Sequence, residues 1–406
     1  MHSRRLFIKS GAMAMLSLGF APSFLARTAK AATGRRRLLI AIFQRGAVDG
    51  LNMVVPYGEA DYYRLRPSIA IPRPGAPGGG ALDLDGFFGL HPVMTPLKPY
   101  WDNKSLAIVH ACGSPDATRS HFDAQDYMET ATPGIKATRD GWLNRYLQSG
   151  AADRNPLRGV AVTRQRPRAL QGAAPSLAVG AVDDFRVRGD MSAGRAAEAA
   201  YAGDAVLGGA ASEAFEAMRL LQAAAPGTYR PAAGVTYPRS PFGQALQEIA
   251  RLAKADVGLE VAFAESTNWD HHVNEGALTG QVATRLTDLA HGLAALAADL
   301  GERMSETIIM TMSEFGRSVA ENGNGGTDHG HGNAMMLVGG PVRGGRVYGR
   351  WPGLESSDRF EGRDLAVTTD FREVFSEVVS GHLGAAASAL PHVFPGFRAR
   401  GGVGVV

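Results

Sequence analysis

The 406-residue chain holds a single cysteine, Cys112, so no intramolecular disulfide can brace it. Cys112 follows the apolar run Leu106–Ala111, which points to a buried structural thiol rather than a nucleophile. The longest apolar stretch, Gly11 to Ala26, falls short of the roughly 20 residues that span a bilayer. A G-x-G-x-x-G fingerprint and a G-x-x-x-x-G-K-[ST] loop are both missing, so neither dinucleotide nor phosphate-loop chemistry is signalled. No G-x-S-x-G elbow surrounds Ser120, which argues against an acyl hydrolase built on that serine. The 51 glycines are scattered rather than periodic, excluding a collagen-like repeat. Acidic residues are absent from positions 1–31 altogether.

That last absence reorganises the charge balance. The formal net charge is +3, but Arg4, Arg5, Lys9, Arg27 and Lys30 all lie in the first 31 residues. Removing those five from 42 Lys+Arg leaves 37 against 39 Asp+Glu, a balance of −2. A basic surface for nucleic acid or anionic lipid loses its support. The leading segment itself reads as an export signal. Ser3-Arg4-Arg5-Leu6-Phe7-Ile8-Lys9 is a twin-arginine pattern, the apolar run follows, and Ala29-Lys30-Ala31 is a small-x-small cleavage site. Residues 1–31 are expected to engage the twin-arginine export machinery. The mature chain from Ala32 is expected to be periplasmic or secreted, with no stable membrane insertion.

The full chain is 45% hydrophobic, enough to build a large core. Short apolar runs at Leu38–Phe43, Leu106–Ala111, Gly159–Thr163, Leu259–Phe263, Thr307–Met312 and Met335–Val338 read as strands buried on both faces. Helical spacing or composition marks His121–Thr130, Trp142–Gln148, Glu213–Ala224, Gln244–Ala253, Gln281–Leu300 and Phe371–Leu383. The alternation predicts an α/β fold with a mostly parallel central sheet covered on both faces. Residues 32–406 are taken as one domain, with a variable insertion near 173–240. In such a sheet the functional site lies beyond the carboxyl ends of the strands.

Chemistry-bearing residues gather at those ends. Asp49 follows the first strand within Gly46-Ala47-Val48-Asp49-Gly50. Arg119-Ser120-His121 follows the second strand and opens a helix, where a serine is both a good cap and a hydroxyl in a positive backbone field. Asp270 and His272 lie two apart after a later strand, a spacing that turns both side chains the same way in extended chain. Thr327-Asp328-His329-Gly330-His331 is a ligand-rich loop whose glycines permit close approach. Three carboxylates and three imidazoles suffice for one or two divalent cations, zinc being the first expectation. Ser120 is then the candidate nucleophile, with His121 and Arg119 as its candidate catalytic neighbours. Glu314 is a candidate orienter of a ligand histidine.

Five segments together resemble a known family: residues 43–57 (FQRGAVDGLNMVVPY), 118–130 (TRSHFDAQDYMET), 141–147 (GWLNRYL), 312–333 (MSEFGRSVAENGNGGTDHGHGN) and 344–354 (GGRVYGRWPGL). The chain is similar across its mature length to the twin-arginine-exported bacterial proteins called domain of unknown function fifteen-oh-one. That family is grouped with the alkaline phosphatase and sulfatase superfamily. The resemblance implies a three-layer α/β/α sandwich and a metal-centred site. It implies Asp49 as a first-strand metal ligand, Ser120 as nucleophile and Asp328-His329 as an adjacent ligand pair. Asp270, His272 and His331 would complete the other cation site. Relatives carry Asp-Thr-His-x-Asn-Gln where this chain has Asp270-His271-His272-Val273-Asn274-Glu275. The function expected is an exported metal-dependent hydrolase of small phosphate or sulfate esters. The alternatives are a binding or assembly protein that keeps the fold without chemistry, and an acyl hydrolase pairing Ser120 with a nearby histidine.

Overall fold

The computed structural model describes residues 36–150, 155–182, 219 and 229–406. The export signal at 1–31, and all but Arg219 of the helix expected at Glu213–Ala224, lie outside the described residues. So does most of the insertion expected near 173–240.

Among the described residues nine strands form the central sheet: β1 (Leu38–Gln44), β2 (Leu106–Gly113), β3 (Gly159–Ala161), β4 (Leu177–Ala178), β5 (Val261–Ser266), β6 (Thr307–Met312), β7 (Asn333–Gly339), β8 (Arg346–Tyr348) and β9 (Thr369–Asp370). Their order is β8-β2-β7-β6-β1-β5-β3-β4, with β9 also pairing with β2. β1 runs parallel to both β5 and β6, with Ile40 opposite Ala262 and Ile309. The strand β7 is antiparallel to β6 and β2, while the other pairings in this sheet are parallel. The expected mostly parallel α/β sheet is therefore present, with one reversed strand.

β1 explains itself. All seven of its residues are buried, and its side chains alternate between two cores. Leu38, Ile40 and Ile42 join one apolar cluster, and Leu39, Ala41 and Phe43 join the other. That is the period-2 signature of a strand sandwiched on both faces. One face is covered by α3 (Pro241–Lys254) and α4 (Gln281–Leu300), the other by α2 (Trp142–Ser149) and α5 (Phe371–Glu377). α1 (His121–Thr130) follows β2. The α4 stripe Val282, Leu286, Leu289, Leu293, Leu296 and Leu300 is buried throughout, and each such side chain stabilises the fold by about 1.5–3 kcal/mol. Gly292 lets α3 and α4 meet, since a Cβ there would sit 2.9 Å from both Leu246 Cδ1 and Phe242 Cε1.

The boundaries differ from expectation in places. The strand expected at Leu259–Phe263 runs from Val261 to Ser266. The helix expected to reach Leu383 ends at Glu377 and passes into a π turn over Val378–His382. There His382 Nε2 docks 3.0 Å from the Leu38 carbonyl at the start of β1. A small three-stranded sheet of Val54–Val55, Leu82–Asp83 and Gly89–Leu90 sits apart from the main one. No helix among the described residues is long and apolar enough to cross a membrane.

Topology places the functional loops. The carboxyl ends of β1, β2, β5 and β6 share one edge of the sheet. Because β7 is reversed, its amino end lies at that same edge, and it is entered through Thr327–Gly332. One antiparallel strand thus delivers the Asp-His-Gly-His loop to the place where parallel neighbours deliver their carboxyl-end loops.

Candidate metal centre

Four loops converge at this edge, and a buried guanidinium ties three of them together. Arg317, fully buried, donates to the carbonyls of Gly46 (2.7 Å), Ala47 (2.8 Å), Trp269 (3.0 Å) and Thr327 (3.1 Å), and to Asp270 Oδ1 (2.5 Å). Gly330 makes the loop crossing work, because a Cβ there would fall 2.3 Å from the Arg317 carbonyl carbon.

The outcome is a compact set of ligand atoms. His121 Nε2 lies 3.0 Å from His329 Nε2. Asp270 lies 3.5 Å from His121 Nε2 through Oδ2 and 3.4 Å from His329 Nε2 through Oδ1. Bonds of about 2.0–2.1 Å at tetrahedral angles separate neighbouring ligand atoms by roughly 3.3 Å. The histidine–histidine contact and the two carboxylate contacts, made through different oxygens of Asp270, lie near that spacing, and this triad forms a group able to hold a metal ion.

Hydrogen bonding tests the fit independently. His329 Nδ1 is 2.8 Å from the Arg119 carbonyl, which can only accept, so Nδ1 carries the proton. His121 Nδ1 is 2.8 Å from Glu314 Oε1. That oxygen also accepts from Gly46 N and Gln125 Nε2, both at 2.8 Å. Burial alone would raise the Glu314 carboxyl, but the His121, Gln125 and Gly46 donors hold it below its ordinary value. His121 therefore also donates through Nδ1. Both Nε2 lone pairs are left facing each other beside a carboxylate, an arrangement that a cation between them would satisfy. A proton is the other occupant, and the Glu314 hydrogen bond raises His121 accordingly, against the effect of burial. Burial lowers His329, opposing its bond to the Arg119 carbonyl. Burial would raise Asp270, yet the Arg317 guanidinium brings it below the usual carboxylate range.

His272 stands on the same edge and meets two members of the triad through Nε2. Its Nε2 is 2.9 Å from His329 Nε2 and 3.0 Å from Asp270 Oδ1. Its Nδ1 is 3.3 Å from Asp328 Oδ1. Set between two carboxylates, both ring nitrogens have acceptors. Asp328 is held below its ordinary value first by Asn322, whose amide donates at 3.1 Å.

Ser120 is the N-cap of α1, exposed, with Oγ accepting from Asp123 N at 3.5 Å. It is bracketed by contacts to the centre. The Arg119 carbonyl before it binds His329, and His121 after it belongs to the triad. The Arg119 guanidinium points away, held by Asp364 (2.6 Å) and Glu361 (2.6 Å).

Asp49 and His331 lie in other surroundings. Asp49 caps the short helix Gly50–Met53 through Leu51 N and pairs at 2.5 Å with Arg66, both buried. Burial pushes its carboxyl up, and Arg66 more than offsets this. Glu275, buried beside it, is raised well above the carboxylate range by burial and by the charge of Asp49, while Thr327 Oγ1 donates to its Oε2 at 2.8 Å. His331 is buried and stacked on Phe360, with ring centroids 4.3 Å apart. The fold thus brings His121, Asp270, His272, Asp328 and His329 to one place, with Ser120 next to His121 in the chain. Sequence reasoning missed two roles, Arg317 as the loop staple and Arg66 as the partner of Asp49. Arg317 lies within a motif segment and Arg66 within none, and burial reveals both as structural.

Residues 36–378 match the family described as Protein of unknown function (DUF1501). The chain matches no curated protein sequence. Among solved structures it is similar to the C-terminal periplasmic domain of EcEptC from Escherichia coli, in complex with Zn. The identity is 8%, the alignment covers 75% of this chain and 73% of that one, and the TM-score is 0.38. It is also similar to PsFucS1 sulfatase from Pseudoalteromonas sp., with 12% identity, 90% of this chain and 71% of that one covered, and a TM-score of 0.35.

Proposed function

The chain belongs to the DUF1501 family, a family without assigned chemistry, and we propose that it is an exported, cation-dependent hydrolase of phosphate or sulfate esters. The observation that carries this reading is the pair of inward-facing Nε2 atoms of His121 and His329, 3.0 Å apart beside Asp270. Those three residues would hold a divalent cation. A donor set of two imidazoles and one carboxylate suits zinc and leaves a coordination position open. When bound, such a cation ionises a hydroxyl and neutralises charge developing on a transferred group.

The chain's own residues do the rest. Ser120 presents its hydroxyl at the amino end of α1, in the positive field of the helix, where it attacks the phosphorus or sulfur. His272, between Asp270 and Asp328, is placed to hand a proton to the departing alcohol oxygen as the substrate's ester bond breaks, and then to take one from the water that cleaves the group from Ser120 and regenerates the serine. Glu314 fixes the tautomer of His121, and Arg317 holds the Asp270 loop against the β1 loop. The chain reaches the periplasm or medium through the twin-arginine machinery. Replacing both Arg4 and Arg5 with lysine should retain it in the cytoplasm, as fractionation would register.

The test is metal analysis of the purified mature protein together with turnover of an aryl phosphate and an aryl sulfate. About one divalent ion per chain is expected, lost in His121→Ala and His329→Ala and kept in His272→Ala, with turnover lost in all three. A mature protein that takes up no ion and turns over neither ester after incubation with zinc, manganese or magnesium would sink the reading.

A further inference from the structure

A cavity of about 920 Å³ opens at the same edge of the sheet, beside the metal centre. It is lined by the chain leaving β1 at Arg45, β3 at Val162–Pro167 and β5 at Ser266–Asn268. Two residues beyond Asn268, past the buried Trp269, the chain reaches Asp270, so the loop that borders the cavity continues into the centre. A hydrogen-bond path joins them as well. Arg45 donates to Gln125 Oε1 (3.0 Å), Gln125 donates to Glu314 Oε1 (2.8 Å), and His121 donates to the same oxygen.

The charge in this cavity runs against that of the mature chain. Four arginines line it, Arg45, Arg164, Arg166 and Arg285, against two carboxylates, Glu265 and Asp288. Arg45 is already neutralised by Glu129 (2.8 Å) and Glu265 (2.7 Å). The side chains of Arg164, Arg166 and Arg285 make no hydrogen bond or ion pair among the described residues. The amino end of the fourteen-residue helix α3 also faces the space, contributing Pro241, Phe242, Gln244 and Ala245. Three guanidiniums with no partner among the described residues, around a concave site large enough for a sugar-sized ligand, form an anion-recognition surface.

Resting on the hydrolase reading for the identity of the reacting group, we infer that this cavity binds the part of the substrate that does not react, and that this part carries further oxyanion groups. The substrate class is a small carrier, such as a saccharide or polyol, bearing several phosphate or sulfate groups. One is presented to Ser120, and others are held by Arg164, Arg166 and Arg285. A simple aryl ester fills only the reacting end and forgoes that binding.

The test is calorimetric binding to the chelator-treated mature protein, which separates this inference from the fate of the hydrolase reading. Two probes distinguish the oxyanion: inositol hexakisphosphate and sucrose octasulfate. At least one should bind with a dissociation constant in the micromolar range at about 0.1 M ionic strength, weakening as salt is added. In the pair Arg164→Ala and Arg166→Ala, both exposed, that binding should weaken roughly tenfold or more, and adding Arg285→Ala should weaken it further. The melting temperature of each variant, measured alongside, confirms that the fold is kept. Binding of either probe that is equally tight in the triple variant places the anion elsewhere and overturns the inference, as does failure of both probes to bind the unmutated protein.

Discussion

The orienting carboxylate Glu314 offers the sharpest perturbation of the centre. Glu314→Gln is nearly isosteric and fully buried, and an amide oxygen can still accept from His121, Gly46 and Gln125. What it removes is the charge that sustains His121 as a donor through Nδ1 and strengthens its Nε2 as a ligand. Loss of such an outer partner typically weakens metal binding by about 10–100-fold, or about 1.4–2.8 kcal/mol. Asp328→Asn is the comparison. Its contact with His272 is longer, at 3.3 Å, its side chain is 57% exposed, and His272 lies outside the triad, so its effect should stay below tenfold. A competition titration against a chromophoric chelator measures both. The pH dependence adds a second signature. Glu314 raises His121, so protons compete with the metal at higher pH in the parent than in the variant. The difference in affinity between the two should therefore shrink as pH falls through the histidine range. If Asp328→Asn costs as much as Glu314→Gln, or if the gap widens toward acid, the assignment of the triad is wrong.

Three further outcomes are expected. Ser120→Ala should keep the metal and lower the melting temperature only slightly, since the cap bond is long and exposed (about 0.5 kcal/mol), while turnover in a stopped assay falls by at least about 10³-fold. Arg317→Met leaves four carbonyls and Asp270 without their buried donor and should destabilise the fold by about 3–5 kcal/mol in denaturant titration; a loss under about 1 kcal/mol would contradict the stapling role. Glu275→Gln mimics the protonated side chain that the fold holds. Because the parent keeps a proton that its unfolded chain releases above the ordinary carboxyl range, parental stability declines as pH rises toward the raised folded value. The variant should therefore melt on the order of 1–2 °C higher than the parent near pH 8 and the same below about pH 4, and a variant less stable at pH 8 would refute the protonated assignment.

Much of the sheet was legible because its strands are continuous apolar runs, and burial on both faces demands that composition. Leu38–Phe43 and Thr307–Met312 could be little else. Strand direction was not legible: nothing in Asn333–Gly339 distinguishes an antiparallel strand, since a strand buried between two neighbours has the same composition in either sense. The loops of the centre were visible as Asp and His clusters at strand ends, but ring orientation was hidden. His121 and His272 differ in what their Nδ1 atoms meet, Glu314 in one case and Asp328 in the other, and both partners are distant in sequence or on another loop. The edge strand at Leu177–Ala178 was invisible because two residues cannot show a period.

Asp49 illustrates how a motif and its surroundings separate. The resemblance makes it a metal ligand, and its position after β1 agrees with the loop geometry. Both carboxylate oxygens are nevertheless committed, Oδ1 to Leu51 N and Oδ2 to Arg66. Arg66 is itself bound to the carbonyls of Val319 (2.7 Å) and Ser318 (2.9 Å) and to Asn52 Oδ1 (2.9 Å). Asp49 and Arg66 cancel, and Glu275 beside them is raised toward its neutral form, so the cluster is balanced without a divalent ion. Seating one there would displace a guanidinium that closes the loop over Ser318 and Val319, leaving a buried cation and two carbonyls unpaired, at a cost of several kcal/mol. Around Asp270 the balance is the reverse: two lone pairs and a carboxylate face one point, and Arg317 stabilises only one edge of it. Under the proposed hydrolase reading, the charge accounting therefore allots one cation per chain, at His121, Asp270 and His329, with Arg66 supplying to Asp49 the positive charge that a second ion would have carried.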